Sequence, residues 1–190
     1  MAFRPPHAVT ARWRPCEGVG LEHLDLRPAG DMISVRSIVV GERGGRPFGV
    51  TYGLSLRADW TVMRLDLVAT DGRGLSLRSD GGGRWTDGDG EAIPVLDGCI
   101  DIDLAGSPFT NTLPIRRDVR LRTGNAIRCR MAYVPFDTFA PLVDDQIYTA
   151  LDAGRRYRYE AADGTFTAEI AVDEDGLVTD YPGLFTRVLL

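Results

Sequence analysis

The sequence predicts an all-β fold, a single antiparallel and strongly curved sheet forming a half-barrel or barrel. Three observations carry this. Apolar and polar residues alternate along much of the chain. In the clearest run Phe48, Val50, Tyr52, Leu54 and Leu56 share one face, with Gly49, Thr51, Gly53, Ser55 and Arg57 on the other. The alternating runs are short and separated by turn signals such as Asp71-Gly72, Asp163-Gly164 and Pro182-Gly183. Such a pattern reads as a meander of roughly ten to thirteen strands. Finally, 190 residues is an ordinary length for one β domain, and so many strands in one domain must curl, close or split into layers. Glycines at 49 and 53 on one strand face favour curling.

Taken in order, residues 1–9 contain Pro5-Pro6 and little to bury, and read as a flexible arm ahead of a β domain over residues 10–190. Leu24/Leu26 and Ile33/Val35 open the strands. Ile38-Val39-Val40 interrupts the alternation and suggests a bulge or a segment covered on both sides. After the 48–56 strand come Met63/Leu65/Leu67 and Leu75/Leu77. Ser79–Asp97 reads as irregular, and its acidic run from Asp87 to Glu91 reads as a solvated hairpin loop. A calcium-loop reading fails there, because Ala92 and Gly98 stand where glycine and glutamate are required. Ile100, Ile102 and Leu104 then alternate with Asp101 and Asp103. Gly106–Pro114 is broken by Gly106, Pro108 and Pro114 and reads as irregular. Val119/Leu121 and the run Ile127, Cys129, Met131, Tyr133 read as strands. Val143, Ile147 and Leu151 have helical spacing, so residues 143–152 are the one segment that reads as a helix. Tyr157/Tyr159, then Phe166, Ala168, Ile170 and Val172, then Leu177–Tyr181 and a strand through Val188 complete the sheet.

Composition excludes several functions. Hydrophobic residues are 44%, charged residues 26% and the net charge is −5. These values fit a soluble globular chain with no global attraction to nucleic acid or anionic membrane. All 22 basic residues are arginine. Three scattered cysteines, Cys16, Cys99 and Cys129, have no metal spacing and an odd count, so buried thiols are expected at 99 and 129. No apolar leader or membrane-length run is seen, so a reducing cytoplasm is the expected setting. With His7 and His23 alone, no nucleophile elbow and no phosphate loop, neither a triad nor a histidine metal site is expected, and no cofactor is implied.

Chemistry concentrates in Gly98–Arg117. Asp101 and Asp103 project from one strand face about 6 to 7 Å apart, a spacing compatible with paired glycosidase carboxylates. A solvent-facing pair neutralised across strands by Arg128, Arg130, Arg156 or Arg158 explains them better. Asn111, Arg116 and Arg117 follow in the loop. The scarcity of paired acid–base groups favours a ligand-binding protein over an enzyme. A hydrolase using Asp101 or Asp103 and a homodimeric interaction module using an exposed sheet edge are the alternatives. A concave face lined by Phe48/Tyr52 and Tyr157/Tyr159, with Trp85 nearby, would suit an amphipathic ligand, with Asp103, Asn111 and Arg116 at its rim. The opposing reading makes the tyrosines ordinary core and the loop a plug.

The block Gly98-Cys99-x-Asp101-x-Asp103, continuing from Ser107-Pro108-Phe109-Thr110-Asn111-Thr112 through Leu113-Pro114-Ile115-Arg116-Arg117, resembles the putative glycolipid-binding family, a bacterial group of unknown function. The Trp13-to-Glu22 region, Gln146-x-Tyr148, Tyr157-x-Tyr159 and Val172 through Phe185 agree with it. Ser107 stands where threonine is expected. The resemblance implies a half-barrel like that of bacterial lipoprotein carriers and a glycolipid or lipid-like ligand. The candidate ligand-binding residues are Asp101, Asp103, Asn111, Arg116, Arg117, Trp85, Tyr148, Tyr157 and Tyr159.

Overall fold

A computed structural model describes residues 3–123 and 125–189. Fourteen strands are present among them: β1 (Val9–Pro15), β2 (Leu21–Ala29), β3 (Met32–Arg43), β4 (Arg46–Arg57), β5 (Val62–Ala69), β6 (Gly74–Ser79), β7 (Trp85–Asp87), β8 (Asp101–Leu104), β9 (Ala126–Val134), β10 (Leu142–Asp152), β11 (Arg156–Ala161), β12 (Thr167–Val172), β13 (Val178–Tyr181) and β14 (Phe185–Arg187). One short helix, α1 (Thr112–Arg117), accompanies them. All strands lie in one sheet, in the order β7-β6-β5-β4-β3-β2-β1-β14-β13-β12-β11-β10-β9-β8.

That order is two meanders joined where the first strand meets the last. β1 pairs antiparallel with both β2 and β14. The edge strands β7 and β8 follow one another in sequence, so the sheet curls until its edges approach. The chain beside them makes the contact, through the Gly98 N–H donating to Gly83 O at 2.8 Å and the Trp85 indole N–H donating to Cys99 O at 2.7 Å. No ladder joins them among the described residues, so the sheet is strongly curled but open, and the closed-barrel alternative does not hold.

The structure corrects several expectations. The sheet is not wholly antiparallel, because β8 pairs with β9 in parallel, Asp101 opposite Met131 and Asp103 opposite Tyr133. Residues 143–152 are strand rather than helix. Val143, Ile147 and Leu151 are four residues apart, a spacing that places side chains on one face of a helix and equally on one face of a strand. Unbroken pairing from β10 to β9 decides for the strand, and the side chains it buries are Gln146 and Tyr148. Val119–Thr123 is a 3₁₀ turn rather than a strand, with Val119 63% exposed. Ser79–Asp97 is less irregular than expected, since it contains β7 and a 3₁₀ turn at Pro94–Leu96; its acidic stretch is indeed an exposed hairpin turn, held by the Asp87 carboxylate. Ile38–Val40 contains no bulge: Ile38 faces Thr51 and Val40 faces Gly49 in unbroken register, and both side chains point outward, Ile38 54% exposed.

Gly106–Pro114 is also regular where it was expected to be irregular. Pro108 opens a 3₁₀ turn over Pro108–Asn111, and Pro114 is the third residue of α1. Proline is tolerated in a first turn because the N–H it lacks has no intrahelical acceptor there. The Ser107 hydroxyl accepts the Phe109 N–H at 3.2 Å and caps that turn. Every residue from Ser107 to Arg116 is buried.

This segment lies between two cores. The larger comes from the first meander, with Leu24, Ile33, Val35, Leu54, Leu65, Leu67 and Trp13, and takes in Phe109 and Leu113. The smaller lies on β9–β13 and takes in Ile115. A fully buried leucine contributes roughly 1.5–3 kcal/mol relative to an exposed one, so the rows of β2–β6 hold the first meander together. Cys99 and Cys129 are buried thiols, as expected. Residues 3–8 form no strand but are tied down: the Arg4 N–H donates to Glu174 O at 2.9 Å, and Arg116 donates to Arg4 O at 2.7 Å while its guanidinium stacks on Phe3 and Trp60. Among the described residues no helix is long and apolar enough to cross a membrane.

Candidate functional site

A cleft of about 540 Å³ opens between the β8–β11 strands and the β13–β14 hairpin. The parallel β8 places Asp103 half-buried on its wall. The Asp103 carboxylate accepts from Thr110 Oγ1 at 2.8 Å and from Gln146 Nε2 at 2.8 Å. The same Gln146 amide donates to Asp144 at 2.8 Å, bridging two carboxylates that both line the cleft. Burial pushes the Asp103 carboxyl up, the Thr110 and Gln146 hydrogen bonds pull it back, and Asp144 adds to the rise. Under this wall the Tyr148 hydroxyl donates toward Asn111 Oδ1 at 2.9 Å and Gln146 Oε1 at 3.0 Å. The buried network thus runs from the β8 strand through β10 to the 107–111 turn.

The same cleft carries an aromatic surface. Tyr159, Phe166 and Tyr181 form a triangle with ring centroids 5.9, 6.0 and 6.2 Å apart, and Tyr148 packs edge-on against Tyr159 at 5.5 Å. Such geometries add to the stabilisation from burial alone. Burial raises the phenol groups of Tyr159 and Tyr181, which keeps them neutral. Carboxylates and aromatic rings in one cleft form a surface that takes polyhydroxylated rings: carboxylates accept from vicinal hydroxyls and the aromatic faces cover C–H edges.

A second cleft of about 310 Å³ adjoins the first and shares Arg43, Ala105, Tyr133, Leu184 and Phe185 with it. Its other walls include Trp13, Leu21, Val39, Val40 and Phe48. Arg43 reaches the Tyr133 hydroxyl at 3.4 Å where the two meet. One polar residue among these walls is exceptional. Glu22 is only 2% exposed, and its Oε1 accepts from Tyr52 OH at 2.6 Å, Ser37 Oγ at 2.8 Å and Ser107 Oγ at 2.9 Å. Its Oε2 is buried with no hydrogen-bond partner among the described residues. Burial pushes this carboxyl up to about 7, although the three hydroxyls pull it down.

Residues 10–187 match the family described as Putative glycolipid-binding. The chain belongs to that family. A solved structure of a DUF1089 family protein from Pseudomonas aeruginosa is 41% identical, covers 93% of this chain and 95% of its own, and superposes with a TM-score of 0.76. No curated protein matches the chain.

The glycolipid-binding family block from Gly98 to Arg117 divides in the structure. Asp103 and Asn111 line the larger cleft with Tyr159, and Tyr148 lies beneath them. Asp101 points elsewhere. It is 1% exposed and held by Arg117 in a two-pronged pair, Nε to Oδ1 at 3.0 Å and Nη2 to Oδ2 at 2.6 Å. Asp101 therefore does not face solvent, and among the described residues the two aspartates are held by Arg117, Thr110 and Gln146 rather than by Arg128, Arg130, Arg156 or Arg158. Arg128 pairs instead with Asp145. Arg116 is buried against Arg4 O, Asp175 O and Trp60. Trp85 is core, and Tyr157 is buried with its hydroxyl accepting the Gly154 N–H at 2.9 Å. Of the Phe48/Tyr52 row, Phe48 lines the smaller cleft and Tyr52 joins Glu22.

Sequence reasoning passed over Glu22, Ser37, Asp144, Phe166 and Tyr181. A signal for Glu22 was present. It shares a strand face with Leu24 and Leu26, both buried, so it is a carboxylate in an apolar row. Ser37 interrupts the row Ile33, Val35, Val39 in the same way. Polar residues at core positions need partners, and the pairing of β2 with β3 and β3 with β4 supplies them to each other.

Proposed function

We propose that the paired clefts bind an amphipathic, glycolipid-like molecule and that the protein is a binder rather than a hydrolase. The observation that carries this is the contrast between two clefts sharing five wall residues, one rich in carboxylates and tyrosines, the other walled mainly by aliphatic and aromatic side chains. The sugar portion meets Asp103, Asp144 and the Tyr159/Phe166/Tyr181 triangle; the chain runs along Leu184 and Phe185 toward Val39 and Phe48. Asp101 supports binding over hydrolysis by an Asp101/Asp103 pair, because Arg117 occupies both of its oxygens, while the carboxylate that does stand beside Asp103, Asp144, is tied to it through one Gln146 amide. The strongly curled open sheet supports the resemblance to lipoprotein carriers of half-barrel shape, and the family description supports the ligand class.

Native mass spectrometry of freshly purified protein, with lipid extraction, tests the reading first. Titration with decyl glucoside then tests the site. Asp103→Asn and Tyr159→Ala should each weaken binding by about tenfold or more, equivalent to about 1.4 kcal/mol. If no lipid copurifies and neither alkyl glycosides nor fatty acids raise the melting temperature, the reading is wrong.

A further inference from the structure

Glu22 is the most unusual polar group in the molecule. All three of its hydroxyl partners, Ser37 from β3, Tyr52 from β4 and Ser107 from the 107–111 turn, donate to one oxygen. The other oxygen, Oε2, is buried and has no partner. Leaving one carboxylate oxygen buried and unpaired is costly, because the desolvation of that oxygen is not repaid. Protonating it does not remove the deficit, since the new O–H would then lack an acceptor. No cation pairs with Glu22 among the described residues, and the other charged groups of this cleft, Glu42 and Arg43, are exposed.

Most of the remaining walls are apolar. Glu22 lines the 310 Å³ cleft with Trp13, Val39 and Phe48. Gly41 keeps that wall open to the Phe48 ring, since a Cβ at 41 would come within 2.9 Å of it. Oε2 has almost no exposed surface, so a partner reaches it from the cleft only by displacing the side chains that cover it.

We infer that Glu22 Oε2 is a dedicated anchor for a hydroxyl carried on an apolar chain, and that the smaller cleft thereby selects long-chain alcohols and hydroxylated lipid chains over ethers and carboxylates of equal length. A hydroxyl suits the site because it donates to Oε2 when the carboxyl is ionised and accepts from it when protonated, whereas an ether can only accept. A carboxylate would bring a second negative charge beside Glu22 in a poorly solvated space. This inference rests on the clefts being the ligand site.

The test compares 1-decanol, decyl methyl ether and decanoate by calorimetric titration. With the wild-type protein at about pH 9, where a carboxyl titrating near neutrality is ionised, decanol should bind about tenfold or more tightly than its methyl ether. Decanoate should bind more weakly than either. At about pH 5 the alcohol-to-ether ratio should shrink, because the protonated carboxyl donates to both. Glu22→Gln, whose amide N–H also donates to both, should bring the ratio near one at both pH values. The wild-type pH comparison needs no variant, so it stands if Glu22→Gln misfolds. Equal binding of alcohol and ether by wild type at high pH, or a ratio retained in Glu22→Gln, overturns the inference. Decyl glucoside binding that still depends on Asp103 in that event leaves the larger cleft's role standing. Decanol selectivity without any glycoside binding would instead remove the sugar from the proposed function and keep the anchor.

Discussion

The two cores are made of different residues. Among the described residues the larger cluster has 29 members and a single tyrosine, Tyr52. The smaller has 12, and four of them are Tyr148, Tyr157, Tyr159 and Tyr181. Leucine and valine rows can close completely, because nothing in them needs a partner. A tyrosine carries a hydroxyl that must be satisfied, by a neighbour or by whatever enters. The β9–β13 half therefore accumulates Asp103, Gln146, Asn111 and Asp144 around its rings, and the larger cleft lies on that side. The first meander supplies rigidity, and the second supplies the polar surface. Tyr52, the exception in the first core, is where polarity enters the smaller cleft.

Truncation experiments test this contrast most strongly. Leu54→Ala, in the closed apolar row, should cost about 2–5 kcal/mol in unfolding free energy through lost burial and a cavity. Tyr148→Phe keeps the ring and leaves the Asn111 and Gln146 oxygens short of a donor, so it should cost roughly 1–3 kcal/mol. Urea denaturation with a shared slope separates them. If Tyr148→Phe costs as much as Leu54→Ala, the polar network is as much a structural core as the leucine rows, and the division of labour fails.

The next effect is electrostatic and is confined to the Tyr52 exception. Glu22 is pushed to about 7 in the folded protein from an ordinary value of 4.5. A group whose folded pKa is raised binds more protons when folded, so stability is greatest below the unfolded value and falls as pH rises through the folded one. Between about pH 4.5 and 7 this amounts to roughly 3 kcal/mol, from about 1.4 kcal/mol per unit. Aspartates such as Asp66 and Asp118 are lowered by arginine partners and act in the opposite direction. The difference between wild type and Glu22→Gln cancels them. That difference should widen in favour of Glu22→Gln from pH 4.5 to 8; a flat difference would mean that Glu22 is solvated in the folded state.

How much could be read from the chain follows the same division. In the first meander one face is buried and the other wet, so the period of two appears directly in residues 48–56 and 63–67, and β4 and β5 lie where that period places them. In the second half the buried face carries Gln146 and Tyr148, while Val143, Ile147 and Leu151 share the other face of β10. The usual signal is inverted there, and a spacing of four no longer separates helix from strand. The parallel β8–β9 pairing depends on the sheet curling back over residues 106–123, which no local pattern encodes. Asp103 and Asn111 were legible as site candidates because a polar strand face led into a proline-fixed loop. The cover over Asp101 was not, since it comes from α1, whose Pro114 reads as a breaker until its place in the first turn is known.

The smallest effect is expected on the outer face of the first meander, and it is the control for all the others. Arg64 lies on β5 facing solvent and pairs with Asp66 through two hydrogen bonds of 2.6 and 2.9 Å. Geometrically this pair is as good as the one between Arg117 and Asp101. The difference lies in the medium. Both partners of the outer pair are about half exposed, so water and salt screen their attraction, and holding two mobile side chains together offsets what remains. At Asp101 the carboxylate is 1% exposed, and its arginine replaces hydration that burial has removed. Arg64→Ala should therefore leave the urea midpoint, the decyl glucoside affinity and the alcohol-to-ether ratio within replicate scatter of wild type. Arg117→Met should lower the midpoint clearly, because it leaves Asp101 buried without its cation. If the two arginine variants behave alike, hydrogen-bond geometry rather than burial sets the weight of an ion pair in this protein.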